Sequence, residues 1–279
     1  MLKVDTGEFL DRFDRGPFRI GHDLDGRDDL FGLDAIVALA GRLDADQVEY
    51  NLGDLDIVSD PEAARTPSAG VLETIRNIDR AGSWVALKRP ETDPAYGELH
   101  RRLVAELDPL VSAVDSPIAS SHLYLFVSSA GAVTPLHNDL EYGTLLQIRG
   151  AKTITFLDRD DPEVLPHNDH ALATEGHRNL QVPDAVLERG VPVGLEPGGG
   201  VHLPWNVPHW VAVGDDDWSV SLSLTFQTRR TQTEIELHRI NRTLAGLGMH
   251  PRPVGASPAA DATKHAVWRA GRGLKHVLR

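Results

Sequence analysis

The sequence predicts a mainly β domain, a sandwich or jelly roll, with helices packed before and after it. From His122 onward, strand-like apolar runs recur at Leu123 to Val127, Leu145 to Ile148, Lys152 to Leu157, Val201 to Leu203, His209 to Val213 and Trp218 to Phe226. Turn-forming residues punctuate them: Gly131, Gly143, Gly150 and the run Gly198-Gly199-Gly200. Many short strands separated by Gly/Pro turns bury their common apolar face by pairing into two sheets. The segment 158–198 is rich in Asp, His and Pro without periodicity, and is expected to form a long excursion that covers a site.

The N-terminal flank mixes strands and helices. Phe18-Arg19-Ile20 and Trp84 to Leu87 read as strands, while Ile36, Leu39, Ala40 and Leu43 recur at helical spacing, as do Val71, Ile75 and Ile78. Pro90 and Asp93-Pro94 introduce a helix with Tyr96, Leu99, Leu103 and Leu107 on one side. At the other end Thr231-Gln232-Thr233-Glu234 has the pattern of a capping box ahead of an apolar stripe, Leu237, Ile240, Leu244 and Leu247. After Pro251, Pro253 and Pro258 a second helix places Val267, Ala270, Leu274 and Val277 on one face and Lys264, Arg269, Arg272 and Lys275 elsewhere. The predicted division is a domain over residues 1–228 with an N-terminal α/β elaboration, followed by a helical segment over 229–279 expected to join two copies as a homodimer.

Composition narrows the chemistry. With 279 residues, 41% of them hydrophobic, the chain can enclose a substantial core. It has no cysteine, which excludes disulfides, iron–sulfur clusters and thiolate catalysis, so a metal site must use His and carboxylate. Met1 to Phe13 contains no apolar run of spanning length, and the expectation is a cytoplasmic protein with no membrane partner. The net charge is −13, yet residues 229–279 carry ten Lys/Arg against three Asp/Glu. The remainder is strongly acidic, and no nucleic-acid partner is expected for the core.

One stretch, Thr134-Pro135-Leu136-His137-Asn138-Asp139, sits before a second, Pro204-Trp205-Asn206-Val207-Pro208-His209. On a strand, His137 and Asp139 at i and i+2 share a face. A distant His209 completes two imidazoles and one carboxylate, the ligand set of non-haem Fe(II) oxygenases. Downstream, Lys152, Ile154 and Phe156 alternate onto one face, so the lysine either caps the strand at the solvent edge or enters an apolar cavity. A buried lysine requires an anion. Thr134 could donate to the same anion. In the last strand Ser219, Ser221, Ser223 and Thr225 alternate with apolar residues; the commoner reading is a solvated face, with Thr225 a pocket candidate.

These motifs resemble the JmjC family of cupin-like hydroxylases, and within it the asparaginyl hydroxylases. Val133-Thr134-Pro135-Leu136-His137-Asn138-Asp139 and Gln147-Ile148-Arg149-Gly150-Ala151-Lys152 match the family's Val-Thr-Pro-x-His-x-Asp and Gln-Ile-x-Gly-x-Lys, and Lys152 stands fifteen residues after His137 as in the family. Pro197 to Pro204 followed by His209 resembles its second motif. The resemblance implies a double-stranded β-helix with Fe(II) on His137, Asp139 and His209. It also implies 2-oxoglutarate held by Lys152 and Thr134, with Thr225 near the position of a family asparagine. O₂ would be the oxidant, and a protein side chain or small molecule the substrate, with succinate and CO₂ released. Two departures stand out: Gly199 replaces the Asp of the family's Pro-Gly-Asp, and Gly143 replaces the asparagine six residues after the first ligand.

Competing readings are a cupin that binds a ligand without turnover, as a sensor or regulator, and a nucleic-acid-binding regulator using the basic C-terminal helices. The second lacks a helix-turn-helix pattern. His167, His170 and His177 read as solvent-exposed residues of the excursion, His202 as a packed residue, and Trp205 and Trp210 as a shield of the site or plain core.

Overall fold

A computed structural model describes residues 1–59, 65–165 and 178–277, the last eight of these by backbone alone. Its strands are β1 (Leu2–Lys3), β2 (Phe18–His22), β3 (Val48–Leu52), β4 (Ser83–Lys88), β5 (Ile118–Ser128), β6 (Val133–Asn138), β7 (Tyr142–Arg149), β8 (Lys152–Phe156), β9 (Arg178–Asn179), β10 (Val191–Leu195), β11 (Gly199–Leu203), β12 (His209–Val213) and β13 (Ser219–Thr228). The helices are α1 (Thr6–Arg12), α2 (Asp28–Phe31), α3 (Leu33–Ala40), α4 (Val71–Arg76), α5 (Pro94–Val114), α6 (Asp184–Leu187), α7 (Arg229–Gly246) and α8 (Pro258–Val277).

All pairings are antiparallel. The larger sheet runs β1-β2-β11-β7-β13-β5-β4-β3 and the smaller β10-β8-β12-β6-β9. From β5 to β8 the chain crosses between the two sheets at every strand, and again from β10 through β11 and β12 to β13. This winding is the cupin-like jelly roll, with β2, β1, β4 and β3 widening one wall. Among the described residues no helix is long and apolar enough to cross a membrane.

Alternation along the strands decides which side each residue faces. On β13, Val220, Leu222, Leu224 and Phe226 join Leu123, Leu125 and Val127 of β5 in a core shared with Phe9, Ile36, Ile75, Leu99, Leu103 and Leu107 of the N-terminal helices. The opposite face of β13 carries Ser219, Ser221, Ser223 and Thr225, all buried. The hydroxyl ladder therefore faces the barrel interior rather than solvent: Ser219 and Ser221 bond Gln147, and Ser223 and Thr225 line the cavity. A cavity and bulk water impose the same polar–apolar alternation.

Three further expectations shift. The excursion contributes an edge strand, β10, paired along its length with β8; Pro192 and Gly194 disguise it, and an edge tolerates both. The capping box of α7 is formed by Thr228 and Thr231, one turn before the expected one. Leu237 and Ile240 are buried, but Leu247 lies beyond the helix and is 74% exposed. His167, His170 and His177 lie outside the described residues.

At the barrel's edge Arg230 of α7 binds Asp115 at 2.8 Å and Asp14 at 3.0 Å and contacts the Tyr142 hydroxyl. Asp14 also accepts from Arg159 at 2.8 Å. This charged cluster ties the end of the N-terminal helical layer to the first turn of α7.

Candidate metal and cosubstrate site

Three side chains converge at one end of the smaller sheet. His137 is the penultimate residue of β6, Asp139 follows that strand, and His209 opens β12. The two histidines are direct cross-strand partners, so both emerge on one side; their ring centroids are 4.2 Å apart. Asp139 Oδ2 lies 3.6 Å from His137 Nε2. One donor atom from each of the three residues falls within 4.8 Å of the others. His–carboxylate donor sets around one ion sit about 2 Å from it, so small side-chain adjustments convert this arrangement into one coordination face.

Both imidazoles are oriented by their own strands. His137 Nδ1 donates to the Pro135 carbonyl at 2.7 Å and His209 Nδ1 to the Val207 carbonyl at 2.9 Å. A carbonyl only accepts, so Nδ1 carries the proton and Nε2 presents its lone pair. The turn into β12 is set by Asn206, whose φ of 59° lies in the left-handed region that asparagine tolerates. Asn138, the last residue of β6 and placed between His137 and Asp139, donates from Nδ2 to Asn206 Oδ1 at 2.5 Å. That bond joins the segments that deliver His137 and His209; neither asparagine carries a motif that marks it.

The three side chains open into a cavity of ≈ 360 Å³ between the sheets. Thr134 also lines it, although it stands three positions before His137 and a regular strand would send the two to opposite faces. A register shift between His209 and Val211 resolves this by re-aiming one of them. Further along, Lys152 pairs with Val213. It is 5% exposed, and its ammonium stands 5.8 Å from the Phe126 ring centroid. Among the described residues it has no carboxylate partner, and burial lowers its pKa to about 7. The structure therefore selects the cavity over the solvent edge for this lysine. A lone ammonium in an apolar pocket is a site for an anion.

Nearer the metal-ligand set, Glu141 and Thr225 line the same cavity. Burial pushes the Glu141 carboxyl up, the nearby Thr225 hydroxyl acts in the opposite direction, and the neighbouring Asp139 adds to the rise. Glu141 was not marked by any sequence motif. Trp205 and Trp210 belong to apolar clusters and do not line the cavity. His202 is buried among Phe9, Phe13, Phe18 and Tyr142 and bonds the Phe13 carbonyl at 2.8 Å, a packed residue as expected.

The fold and site together define a cupin-like jelly roll whose interior presents a His-Asp-His donor set and a buried lysine. No family model matches the chain, and no curated protein matches it. Among solved structures the fold is similar to that of YcfD from Escherichia coli, with a TM-score of 0.52 at 17% identity over 95% of this chain and 66% of that one. A second structure of the E. coli protein, described as a ribosomal oxygenase in complex with cobalt and 2-oxoglutarate, gives 0.50 at 16% identity, covering 97% of this chain and 66% of that one. This chain thus spans just under two thirds of the length of YcfD. The jelly roll drawn from the motifs is confirmed; the narrower likeness to asparaginyl hydroxylases is not reproduced among these structures.

Proposed function

We propose that this protein is an Fe(II)- and 2-oxoglutarate-dependent oxygenase that hydroxylates a protein side chain or a small molecule. The observation that carries the reading is the placement of His137, Asp139 and His209 in one cavity with a buried, uncompensated Lys152. A cupin that only holds a metal has no use for a buried cation there. The donor set fits a divalent iron: two neutral imidazoles and one carboxylate occupy one face and leave about three positions open. When bound, iron and 2-oxoglutarate supply the oxidising power for attack on a C–H bond, coupled to formation of succinate and CO₂ from 2-oxoglutarate and O₂.

The residues then have separate tasks. His137, Asp139 and His209 hold the metal, their imidazole tautomers fixed by the Pro135 and Val207 carbonyls. Lys152 and Thr134 receive the distal carboxylate of the cosubstrate. The apolar walls around Lys152 strengthen that ion pair by excluding water. Glu141, Tyr124 and Thr225 line the same cavity and are available to a substrate, with Thr225 also a candidate contact to the cosubstrate. YcfD is named a ribosomal oxygenase, which supports a protein substrate for this chain also. N-demethylation begins with the same C–H attack and belongs to the same reading.

The decisive experiment is anaerobic titration of the Fe(II)-loaded protein with 2-oxoglutarate, followed by the visible charge-transfer band of the chelate. The expected result is a saturable band. Bound metal with no band would reject the oxygenase and favour the non-catalytic cupin.

We also propose a homodimer through residues 229–279, because α8 packs on α7 while Val267 on its surface is 68% exposed. Sedimentation should give twice the chain mass of 30.5 kDa, falling to a monomer when residues 248–279 are removed. A monomeric intact chain would exclude it.

A further inference from the structure

We infer that the bond between Asn138 and Asn206 positions the Asp139 carboxylate against the two imidazoles, which makes both asparagines positioning residues for the metal. This rests on the reading of His137, Asp139 and His209 as its ligands. Neither asparagine lines the cavity, so each acts through its neighbours. Asn138 stands between His137 and Asp139. Asn206 directly precedes Val207, whose carbonyl orients His209.

Backbone pairing stops one ligand short. Between β6 and β12 the last matched pair is His137 with His209, so the ladder itself aligns the two imidazoles, and Asp139 lies past its end. The next residue on the β12 side is Pro208, which has no N–H to continue the ladder; its carbonyl accepts from the Leu157 N–H at 2.9 Å. The Asn138–Asn206 bond, at 2.5 Å, crosses between the two chains one step beyond that point. On the outer edge Asn138 pairs with Arg178 of β9; the side-chain bond holds it on the inner edge, toward His209. The turn that carries Asn206 is closed by the Val207 N–H on the Pro204 carbonyl at 3.4 Å, with Asn206 third in the turn at φ 59°. Glycine is the usual residue at such a position and would satisfy the backbone equally well. What asparagine adds is an acceptor aimed at β6.

The pair opposes stability where it sits. Asn138 is 2% and Asn206 1% exposed, and Asn138 Oδ1 has no hydrogen-bond partner among the described residues. An unpaired buried oxygen destabilises the fold, and apolar side chains of similar size would avoid that penalty. Residues that break a packing rule in this way gather at functional sites. The gain here is geometric. Metal–ligand distances tolerate only about ±0.2 Å, and Asp139, with its side chain 37% exposed, is the least confined of the three donors. Pinning Asn138 pins the peptide unit from which Asp139 departs.

The test titrates the full chain with Co(II), whose visible ligand-field bands report coordination geometry as well as binding. Asn138→Leu removes the bond at nearly constant size, and Asn206→Gly removes it from the other side while keeping the positive φ. Affinities are read well below each variant's melting transition. Each variant should bind Co(II) about 10-fold more weakly, the lower end of the range for groups that support metal ligands, with shifted bands. Because both act through one bond, the double variant should also lose about 10-fold rather than about 100-fold. Removing both polar partners together is close to neutral for folding, so the metal-free double variant should melt near the wild type, which separates positioning from a contact that only supports the fold. Wild-type affinity and bands in the double variant would overturn the inference and leave the metal centre standing. A loss near the product of the two single losses would overturn it too, since the residues would then act apart. No Co(II) binding by the wild type would overturn the metal centre and the oxygenase reading with it.

Discussion

Asp139→Ala and His209→Ala should each lower Fe(II) affinity by at least 100-fold, with the fold retained. The basis is that three donors are already gathered within 4.8 Å, and substitution even of groups supporting metal ligands commonly costs 10–100-fold. Loss of a ligand itself should exceed that range. The fold should survive because Asp139 lies past the end of β6 with its side chain 37% exposed, and His209 is fixed by backbone pairing with both β6 and β8. Equilibrium dialysis against Fe(II) under anaerobic conditions, paired with thermal melts, tests both halves. Unchanged metal affinity in the two variants would refute the assignment.

Lys152→Met should abolish 2-oxoglutarate binding and at the same time stabilise the metal-free protein. A lysine held at about pKa 7 instead of the ordinary 10.5 stores roughly 5 kcal/mol of unfavourable charge burial, and Met fills the same volume without it. The sign follows from linkage. Between pH 7 and 10.5 the unfolded state binds more protons than the native state, so the wild type gains stability as pH rises through that window. The advantage of Lys152→Met is therefore largest at pH 7 and below, and shrinks toward pH 10.5. At about 2–4 °C per kcal/mol for a chain of this size, melts at pH 6.5 should show a rise of roughly 10 °C or more. Cosubstrate binding shows the reverse dependence: the anion needs the ammonium, so wild-type affinity should fall above pH 7, by up to tenfold per unit. A variant with lower stability and a pH-independent wild-type affinity would contradict the buried-cation account.

The clustering of His137, Asp139 and His209 and the burial of Lys152 were legible because their spacing within short motifs is fixed by strand geometry. His137 and Asp139 are two residues apart, and Lys152 begins the second strand after them. Other parts depend on neighbours distant in sequence. Trp84 borders the cavity from an added strand, and nothing local distinguishes it from a core tryptophan. Asn138 and Asn206 meet only because β6 and β12 are adjacent. Glu141 reads as a surface residue until β7 is placed. The serines of β13 were misread because alternation records that one face is polar, not what that face meets. The helix of α5 was legible throughout: its Pro94 start follows the Asp93 cap, and Tyr96, Leu99, Leu103 and Leu107 are all buried. By contrast α7 begins one turn early, because β13 runs on to Thr228 and hands that residue to the helix as its cap.

The two imidazoles are steered by peptide carbonyls two residues upstream on their own strands. Such acceptors belong to the main chain, and an amino-acid exchange at Pro135 or Val207 alters a side chain but leaves the oxygen in place. Where a carboxylate orients a ligating histidine, one base change can erase it. Here the orientation is inherited with the strand path itself, so the surrounding side chains are free to change while the two Nε2 atoms keep their aim.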